Sequence, residues 1–247
     1  MNSILIRKVI DVVLKSKQTY YDFGLSTDTL SDSLGGGIPV GTIMLIVGKF
    51  GTGKSVVCQR LTYGLLRNGY TVTYVSTETN TKPFMNQMNS LDYPIGDYIF
   101  DQRLKFVPVK PLIGNHFQRE ESLSRLIDGN GLYSRDITII DTFSDIVDDN
   151  YIDKLPLDAL SFFKKKCNQG KTLILTMNPS GVEDDILVPY MSAVDIYLQL
   201  DQETIGGDIE RTIKIRRFTA ARGRMKDVIK YRIEPNAGFV VDITSIS

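Results

Sequence analysis

The sequence predicts an α/β fold with a mostly parallel central sheet flanked by helices and followed by C-terminal antiparallel hairpins. Short β-rich apolar runs alternate with helix-like stretches between residues 42 and 177, as in a parallel sheet. A glycine-rich motif joins the first run to a helix, and from residue 195 onward tight turns separate the strands. With 42% hydrophobic and 23% charged residues, the 247-residue chain can bury a full core. We expect one domain over residues 1–247.

The N-terminal part is expected to be an extension, residues 1–26, leading into a small segment that ends in the turn LGGGIP at residues 34–39. Arg7, Lys8 and Asp11 interrupt its apolar beginning, so it is too short and too charged for a signal peptide or a spanning helix. No later run approaches the roughly 20 apolar residues that such a helix needs. The sequence therefore predicts a cytoplasmic protein.

Four apolar runs are predicted as strands buried on both faces, because they lack strict alternation: residues 42–48, 71–77, 137–141 and 171–177. Residues 104–109 are the candidate fifth strand, since a proline near a strand end is tolerated. Helices are predicted between them at residues 54–68, 81–90, 116–127 and 157–168; Gly69 and Gly170 follow two of these, where glycine commonly ends a helix. The C-terminal hairpin part, residues 195–247, is predicted to contain strands at 195–203, 209–219, 228–234 and 238–243, with a turn at Gly206-Gly207.

Composition excludes several functional classes. Lysine and arginine number 29, as do aspartate and glutamate, so no global field attracts nucleic acid or anionic lipid. Cys58 and Cys167 lie in predicted helices without metal-ligand spacing, which favours free buried thiols in a reducing compartment. His116, the only histidine, is interpreted as an ordinary loop residue, so histidine-rich metal sites are excluded.

The strongest motif is GKFGTGKS at residues 48–55, which fits the P-loop pattern G-x-x-x-x-G-K-[ST] between a buried strand and a helix. Its glycines let the backbone turn tightly, with N–H groups facing one anion. Lys54 is predicted to reach the β- and γ-phosphates of ATP, and the Ser55 hydroxyl to ligate Mg²⁺. The predicted nucleotide contacts are Gly48, Phe50, Gly51, Thr52, Gly53, Lys54, Ser55 and Val56.

Three polar residues at strand ends complete the predicted site. Asp141 closes the buried run DITIID and is predicted to hold the magnesium shell together with Ser55. Glu78 follows the strand after the P-loop helix, and is the candidate base that orients the attacking water, since Asp141 has no acidic neighbour. Asn178 ends another strand, where it is either a γ-phosphate sensor or the start of a turn before Pro179.

These motifs resemble a known family. STDTLSDSLGGGIPVGTIMLIVGKFGTGKS followed by YVSTET is similar to the KaiC branch of the RecA superfamily. More closely, GYTVTYVSTET with PFMNQMNSLDY and RLKFVPV resembles the FlaH (ArlH) family, the accessory nucleotide-binding proteins of the archaellum motor. The resemblance covers about residues 27–241.

The resemblance implies a RecA/KaiC-like P-loop fold, a homo-oligomeric hexameric ring with ATP between subunits, and a cytoplasmic position at the inner face of the membrane. Its implied partners are the archaellum motor ATPase FlaI and the FlaX ring, with ATP regulating assembly. KaiC-like ATPases carry two adjacent acids where Glu78 is here followed by Thr79. This departure predicts slow or negligible hydrolysis. Lys214 and Arg216 match the K-x-R pattern that KaiC proteins insert into the neighbouring ATP site, although a solvated strand face explains them equally.

Three alternatives stay open at this point. The chain could be an active KaiC- or RecA-like ATPase, or an autokinase with hydroxyls such as Ser76, Thr77 and Thr79 near the site. A DNA-binding recombinase paralogue is disfavoured, because its DNA loops would be residues 142–156 and 179–189, which are acidic here. Acidic loops repel phosphates, so no nucleic-acid partner is expected.

Overall fold

The computed structural model describes residues 19–109, 120–129, 131–147 and 155–242. Most of the predicted N-terminal extension, His116, and the start of the helix predicted from residue 116 lie outside the described residues. So does the middle of the acidic segment 142–156. In the part of the chain that is described, no helix is both long enough and apolar enough to span a membrane.

The described residues form a nine-stranded sheet beside a two-stranded ribbon of β1 (Tyr20–Tyr21) and β2 (Ile38–Pro39). Five strands of the large sheet are mutually parallel: β3 (Ile43–Gly48), β4 (Val72–Ser76), β5 (Leu104–Pro108), β6 (Ile137–Asp141) and β7 (Thr172–Met177). With β8 (Ile196–Ile205), β9 (Asp208–Phe218), β10 (Val228–Glu234) and β11 (Gly238–Val241), the strand order is β11-β10-β9-β8-β3-β7-β6-β4-β5. The predicted fold class is therefore confirmed.

The C-terminal strands of this sheet are β8, β9, β10 and β11. Gly206 and Gly207 form the predicted turn between β8 and β9, with φ of 61° and 97°. The sequence predicts β8 as part of the antiparallel hairpins, and it does pair antiparallel with β9. On its other side, however, β8 pairs parallel with β3. It therefore joins the antiparallel strands directly to the strand that precedes the P-loop.

Eight helices are seen in the described residues: α1 (Leu30–Ser33), α2 (Lys54–Arg67), α3 (Thr81–Ser90), α4 (Gly96–Phe100), α5 (Glu120–Asp128), α6 (Ser144–Val147), α7 (Leu155–Asn168) and α8 (Asp184–Ala193). The interpretation of residues 179–189 as a loop is wrong, because α8 begins within it. Two aspartates in the first turn favour the helix N-terminus, and Ile186, Leu187 and Tyr190 bury one face. A 3₁₀ turn at Pro179–Gly181 precedes it.

Alternate residues of the central strands feed two hydrophobic clusters, one on each face of the sheet. Met44 and Ile46 of β3 belong to the cluster beneath α2, whereas Ile43, Leu45 and Val47 belong to the cluster beneath α7 and α8. Both cysteines are free and buried, one in each cluster, as the sequence predicted. Burial on both faces explains why β3, β4, β6 and β7 lack a polar alternation, whereas β5 is at the edge of the sheet and is only partly buried.

The segment before β3 is attached to α2 by a buried ion pair. The Arg60 guanidinium binds the carboxylate of Asp28 through Nε and through Nη2, at 2.8 Å from Oδ1, and its Nη1 donates to the Phe23 carbonyl at 3.0 Å. Both charged side chains are almost fully buried. Gly64, one turn further along α2, permits this approach, because a Cβ there would lie 2.3 Å from the Phe23 oxygen.

Candidate nucleotide-binding site

The glycine-rich loop lies between β3 and α2 and has no room for additional side chains. Gly51 and Gly53 have φ of 79° and 92°, the left-handed region that favours glycine. A Cβ at Gly48 would lie 2.6 Å from Thr52 Oγ1 and 2.9 Å from the Leu200 carbonyl oxygen. These constraints leave a backbone concavity at the N-terminus of a 14-residue helix, which is the arrangement that binds phosphate.

Lys54 lies at the base of this concavity. Its side chain is buried, and Nζ donates to the carbonyls of Gly48 at 2.7 Å and Lys49 at 3.0 Å. Burial lowers the pKa of the Lys54 ammonium, while the charges of Asp141 and Glu78 act in the opposite direction. The ammonium therefore lies within the field of both predicted acidic residues. The exposed ring of Phe50 flanks it, 5.8 Å from Nζ.

Asp141 ends β6 and is buried among hydrogen-bond donors. The Tyr74 hydroxyl donates to Oδ2 at 2.7 Å, and Thr176 Oγ1 donates to Oδ1 at 3.0 Å. Burial raises the pKa of Asp141 above its usual value, and the side chains of Tyr74, Ser55 and Thr176 oppose that rise. Ser55 therefore lies close enough to Asp141 to influence its ionisation, so the structure brings the two predicted metal ligands together.

Glu78 lies two residues beyond the end of β4, and Ser76 on that strand pairs with Asp141. The Glu78 side chain is exposed, whereas Asp141 is buried. Its charge contributes to the pKa shifts of both Lys54 and Asp141. The candidate base thus lies at the solvent-facing rim of the same site, and its role stays a prediction.

Asn178 follows β7 on the same edge of the sheet, and its side chain is buried. The amide oxygen accepts a hydrogen bond from the Ser180 backbone N–H at 3.1 Å, and so caps the 3₁₀ turn. Its own backbone N–H donates to Ser144 Oγ at 3.2 Å. In this structure Asn178 begins a turn, which is one of its two predicted roles; the role of γ-phosphate sensor stays a prediction.

Lys214 and Arg216 lie on β9. Lys214 Nζ forms an ion pair with Asp201 at 3.0 Å, and Arg216 Nε donates to Gln199 Oε1 at 2.9 Å. Lys214 is about one-third exposed, and Arg216 is exposed. Their role in a neighbouring subunit's site stays a prediction.

Several residues that contact the loop were missed by the sequence analysis, because they lie on distant C-terminal strands. The Tyr231 hydroxyl donates to the Thr52 carbonyl, and Arg211 Nε donates to the Gly51 carbonyl at 3.4 Å. A Cβ at Gly53 would lie 2.9 Å from Ile233 Cδ1. Nothing in the sequence around these positions signals the contacts, which only the pairing of β8, β9 and β10 creates.

The arrangement suits a Mg²⁺–triphosphate. The tight loop would present N–H groups and the Lys54 ammonium to the phosphates, while Ser55 and Asp141 would hold the cation. Among the described residues there is no group of three or more His, Cys, Asp or Glu side chains that could enclose a metal alone. A site with few protein oxygens is typical of magnesium that also binds substrate phosphates.

Comparisons with known proteins show the family of this chain. A family model described as "ATPase: KaiC" matches residues 26–244. The archaeal flagellar ATP-binding protein FlaH of Methanocaldococcus jannaschii is 35% identical over 223 residues, covering 90% of this chain and 96% of that protein. FlaH of Methanococcus voltae is 30% identical, covering 92% and 99% respectively.

Solved structures give the same result. The crystal structure of the flagellar accessory protein FlaH from M. jannaschii superposes with a TM-score of 0.85 and 34% identity, covering 92% of this chain and all of that one. A KaiC-like protein from Pyrococcus horikoshii, 20% identical with a TM-score of 0.71, shares the fold over 90% of this chain and 98% of its own.

Fold and loop together define a P-loop protein of the KaiC-like ATPase class. Within that class, the chain belongs to the FlaH family of archaeal flagellar proteins.

Proposed function

We propose that this protein binds ATP with Mg²⁺ and acts as a nucleotide-controlled, ring-forming subunit of the archaellum motor. The observation that carries the proposal is the convergence of Lys54, Ser55 and Asp141 beneath one glycine-constrained loop. Ligand that binds only the assembled state shifts the equilibrium toward it, so nucleotide and ring formation are linked. The FlaH names of its relatives support the motor as its setting.

The proposed assembly is a cytoplasmic hexameric ring at the inner face of the membrane, in contact with the motor ATPase FlaI and the FlaX ring. Membrane association would be indirect, through those partners. In such a ring Lys214 and Arg216 would approach the ATP of the neighbouring subunit, as in-trans cations do. Their position on the exposed part of β9 is compatible with that role, because their contacts within the chain are to Asp201 and Gln199 at the surface.

Hydrolysis is proposed to be slow. Glu78 is the one acidic residue at the tip of β4, and it lies at the exposed rim, whereas an efficient general base is held in a fixed position within hydrogen-bond reach of the attacking water. We expect turnover far below the enzyme median of about 10 per second. A wild-type rate near that median would support an active ATPase instead. If Glu78→Gln hydrolyses ATP at the wild-type rate, Glu78 is not the base.

The central experiment measures particle size by light scattering after size-exclusion chromatography, with and without Mg²⁺–ATP. Wild-type protein should grow to a ring only with nucleotide, and Lys54→Ala should not, because it removes the phosphate-binding ammonium. Lys165→Ala, on the exposed face of α7, is the matched control for loss of one lysine and should assemble normally. An equal particle size in all conditions would contradict nucleotide control.

Isothermal calorimetry provides the direct test of binding. Folded wild-type protein should release heat on addition of Mg²⁺–ATP, and a flat trace would overturn the proposal. Mass spectrometry after incubation with ATP addresses the autokinase alternative, for which added phosphate on Ser76, Thr77 or Thr79 would be evidence. Salt-sensitive binding of single-stranded DNA would support the recombinase alternative. Exposed Glu183, Asp184 and Asp185 disfavour that outcome.

A further inference from the structure

The Asp141 carboxylate is held by one donor from each neighbouring strand. Tyr74 on β4 donates to Oδ2 at 2.7 Å, and Thr176 on β7 donates to Oδ1 at 3.0 Å. A carboxylate offers about four acceptor positions, and these two donors engage one on each oxygen. The plane of the carboxylate is thereby fixed by residues 67 and 35 positions away in the sequence.

Tyr74 is itself rigidly placed. Its side chain is fully buried, and its ring lies 4.7 Å from that of Phe84 on α3 and 6.1 Å from that of Phe106 on β5. Its hydroxyl donates to Asp141 Oδ2 at 2.7 Å. An aromatic stack thus aims one O–H group at one carboxylate oxygen.

Thr176 has a second role at the same point. Its Oγ1 accepts a hydrogen bond from the Thr142 backbone N–H at 2.6 Å, and its carbonyl accepts one from the Phe143 N–H at 2.8 Å. Thr142 has φ of 61°, which is a strained value for a β-branched residue. The chain directly after Asp141 is therefore held by the same side chain that holds the carboxylate.

We propose that Tyr74 and Thr176 are positioning residues that orient the Asp141 carboxylate for Mg²⁺ when nucleotide is bound. Magnesium requires near-ideal octahedral geometry, so a carboxylate free to rotate would bind it less well. Calcium accepts six to eight oxygens in flexible geometry and would tolerate that rotation better. The pair therefore contributes to selectivity for magnesium as well as to affinity. This inference rests on the proposed binding of Mg²⁺–ATP.

The test compares Tyr74→Phe with Tyr133→Phe. Both changes remove one buried phenol hydroxyl and keep the ring, but Tyr133 donates to the Leu126 carbonyl and belongs to the opposite hydrophobic cluster. ATP affinity is measured by calorimetry over a series of free Mg²⁺ or Ca²⁺ concentrations, and in EDTA. Loss of a residue that orients a metal ligand typically costs about 10- to 100-fold in metal affinity.

We expect Tyr74→Phe to raise the Mg²⁺ concentration for half-maximal effect by about 10-fold or more, with a smaller rise for Ca²⁺. ATP affinity in EDTA and all values for Tyr133→Phe should match the wild type. Thr176→Val should behave like Tyr74→Phe, and Thr176→Ser, which keeps the hydroxyl, should restore wild-type behaviour. If Tyr74→Phe does not fold, the Val and Ser variants at Thr176 decide the question.

An unchanged Mg²⁺ requirement in folded Tyr74→Phe, or in folded Thr176→Val when the former is unfolded, overturns the inference. Equal rises for Mg²⁺ and Ca²⁺ overturn the claim of selectivity, because a general loss of structure would produce them too. If wild-type protein binds no nucleotide under any metal condition, the proposed function itself fails and this inference falls with it. If the wild type binds nucleotide and the variants have the same Mg²⁺ requirement as the wild type, this inference fails but the proposed function stands.

Discussion

Charged residues at the parallel part of the sheet are buried, whereas charged residues on its antiparallel part lie at the surface. Against the parallel part, Asp141 and the pair formed by Arg60 and Asp28 are buried, with hydrogen bonds to several groups each. On the antiparallel part, Lys214 and Asp201 are paired at the surface, each about one-third exposed. Buried charges are costly unless fully satisfied, whereas exposed pairs contribute little to stability.

The difference indicates that the buried ion pair stabilises the fold, whereas the surface pairs are available for contacts between subunits; Asp141 is the exception, because it is buried and yet predicted to bind the metal. Lys230 with Glu210, and Arg232 with Asp242, repeat the surface pattern along β10. Removing a buried partner should therefore damage the isolated chain, and removing a surface partner should change chiefly the contacts between subunits. Five substitutions follow, from the largest expected effect to the smallest; four are at charged residues and one is at the glycine beside the buried ion pair.

Arg60→Met should lower the free energy of unfolding by about 3–5 kcal/mol, because it leaves the buried Asp28 carboxylate without its partner. Chemical denaturation of the metal-free protein measures the loss. The double variant with Asp28→Asn should recover part of it, since the uncompensated charge is then gone. A loss below about 1 kcal/mol for the single variant would place this pair with the surface pairs.

Gly64→Ala should cost about 1–3 kcal/mol, although alanine is the better helix former, because its Cβ would meet the Phe23 carbonyl at 2.3 Å. Gly96→Ala in α4 is the matched control, since nothing lies within 4 Å of a Cβ there. That variant should be neutral or slightly stabilising. The same denaturation assay compares them, and similar values for both would mean that the N-terminal segment does not pack tightly on α2.

Asp141→Asn should raise the midpoint of thermal unfolding at pH 7.5 in EDTA. It should also remove the increase in ATP affinity that Mg²⁺ gives to the wild type. In the folded protein burial raises the pKa of Asp141 above its usual 3.8, so the folded state binds this proton more tightly than the unfolded chain. The stability that this group contributes is therefore present at acid pH and is lost as pH rises from 3.8 through the folded pKa. Asparagine cannot ionise, and the neighbouring hydroxyls can either donate or accept.

Unfolding midpoints of both proteins across this pH range measure the effect. The wild type should lose stability relative to Asp141→Asn as pH increases. If the gap between the two proteins stays constant with pH, or if it changes in the opposite direction, burial does not dominate the energetics of this carboxylate.

Lys214→Met should change the free energy of unfolding of the isolated chain by no more than about 1 kcal/mol, because its pair with Asp201 is partly solvated. Burial alone would raise the pKa of Asp201, but the hydrogen bonds with Lys214 and Gln199 and the neighbouring positive charges lower it overall. Denaturation of the nucleotide-free chain checks the expectation. A loss of several kcal/mol would show that this surface is structural.

Arg216→Ala provides the complementary measurement on assembly. In the proposed ring it should weaken nucleotide-dependent growth while leaving the isolated chain's stability unchanged, which light scattering and denaturation can report separately. Unchanged ATP affinity together with unchanged assembly would favour a solvated strand face for Arg216.

The sequence was sufficient for the parts of the molecule that are local along the chain. The P-loop occupies eight consecutive residues, and the strands Ile137–Asp141 and Val228–Glu234 were predicted with their observed bounds. Both depend on hydrophobic pattern and glycine placement within short windows. The helix Asp184–Ala193 was missed because Pro189 and the acidic beginning resemble a loop, although tertiary burial of one face stabilises it.

The groups around Asp141 could not be predicted in the same way. Tyr74 looks like one more apolar residue in a buried strand, and Thr176 like one more β-branched residue. Their roles depend on the order β7-β6-β4, which places them on either side of Asp141. Strand order is a property of the whole sheet, so a single sequence carries no local signal of it.

The contact between Tyr231 and Thr52 spans 179 positions of the chain. During synthesis the phosphate-binding loop therefore leaves the ribosome long before the strand that supports it. A nascent chain lacking Val228–Glu234 would contain all eight P-loop residues without their C-terminal support. The phosphate-binding loop therefore gains its full support only when nearly the last strand of the sheet has been synthesised.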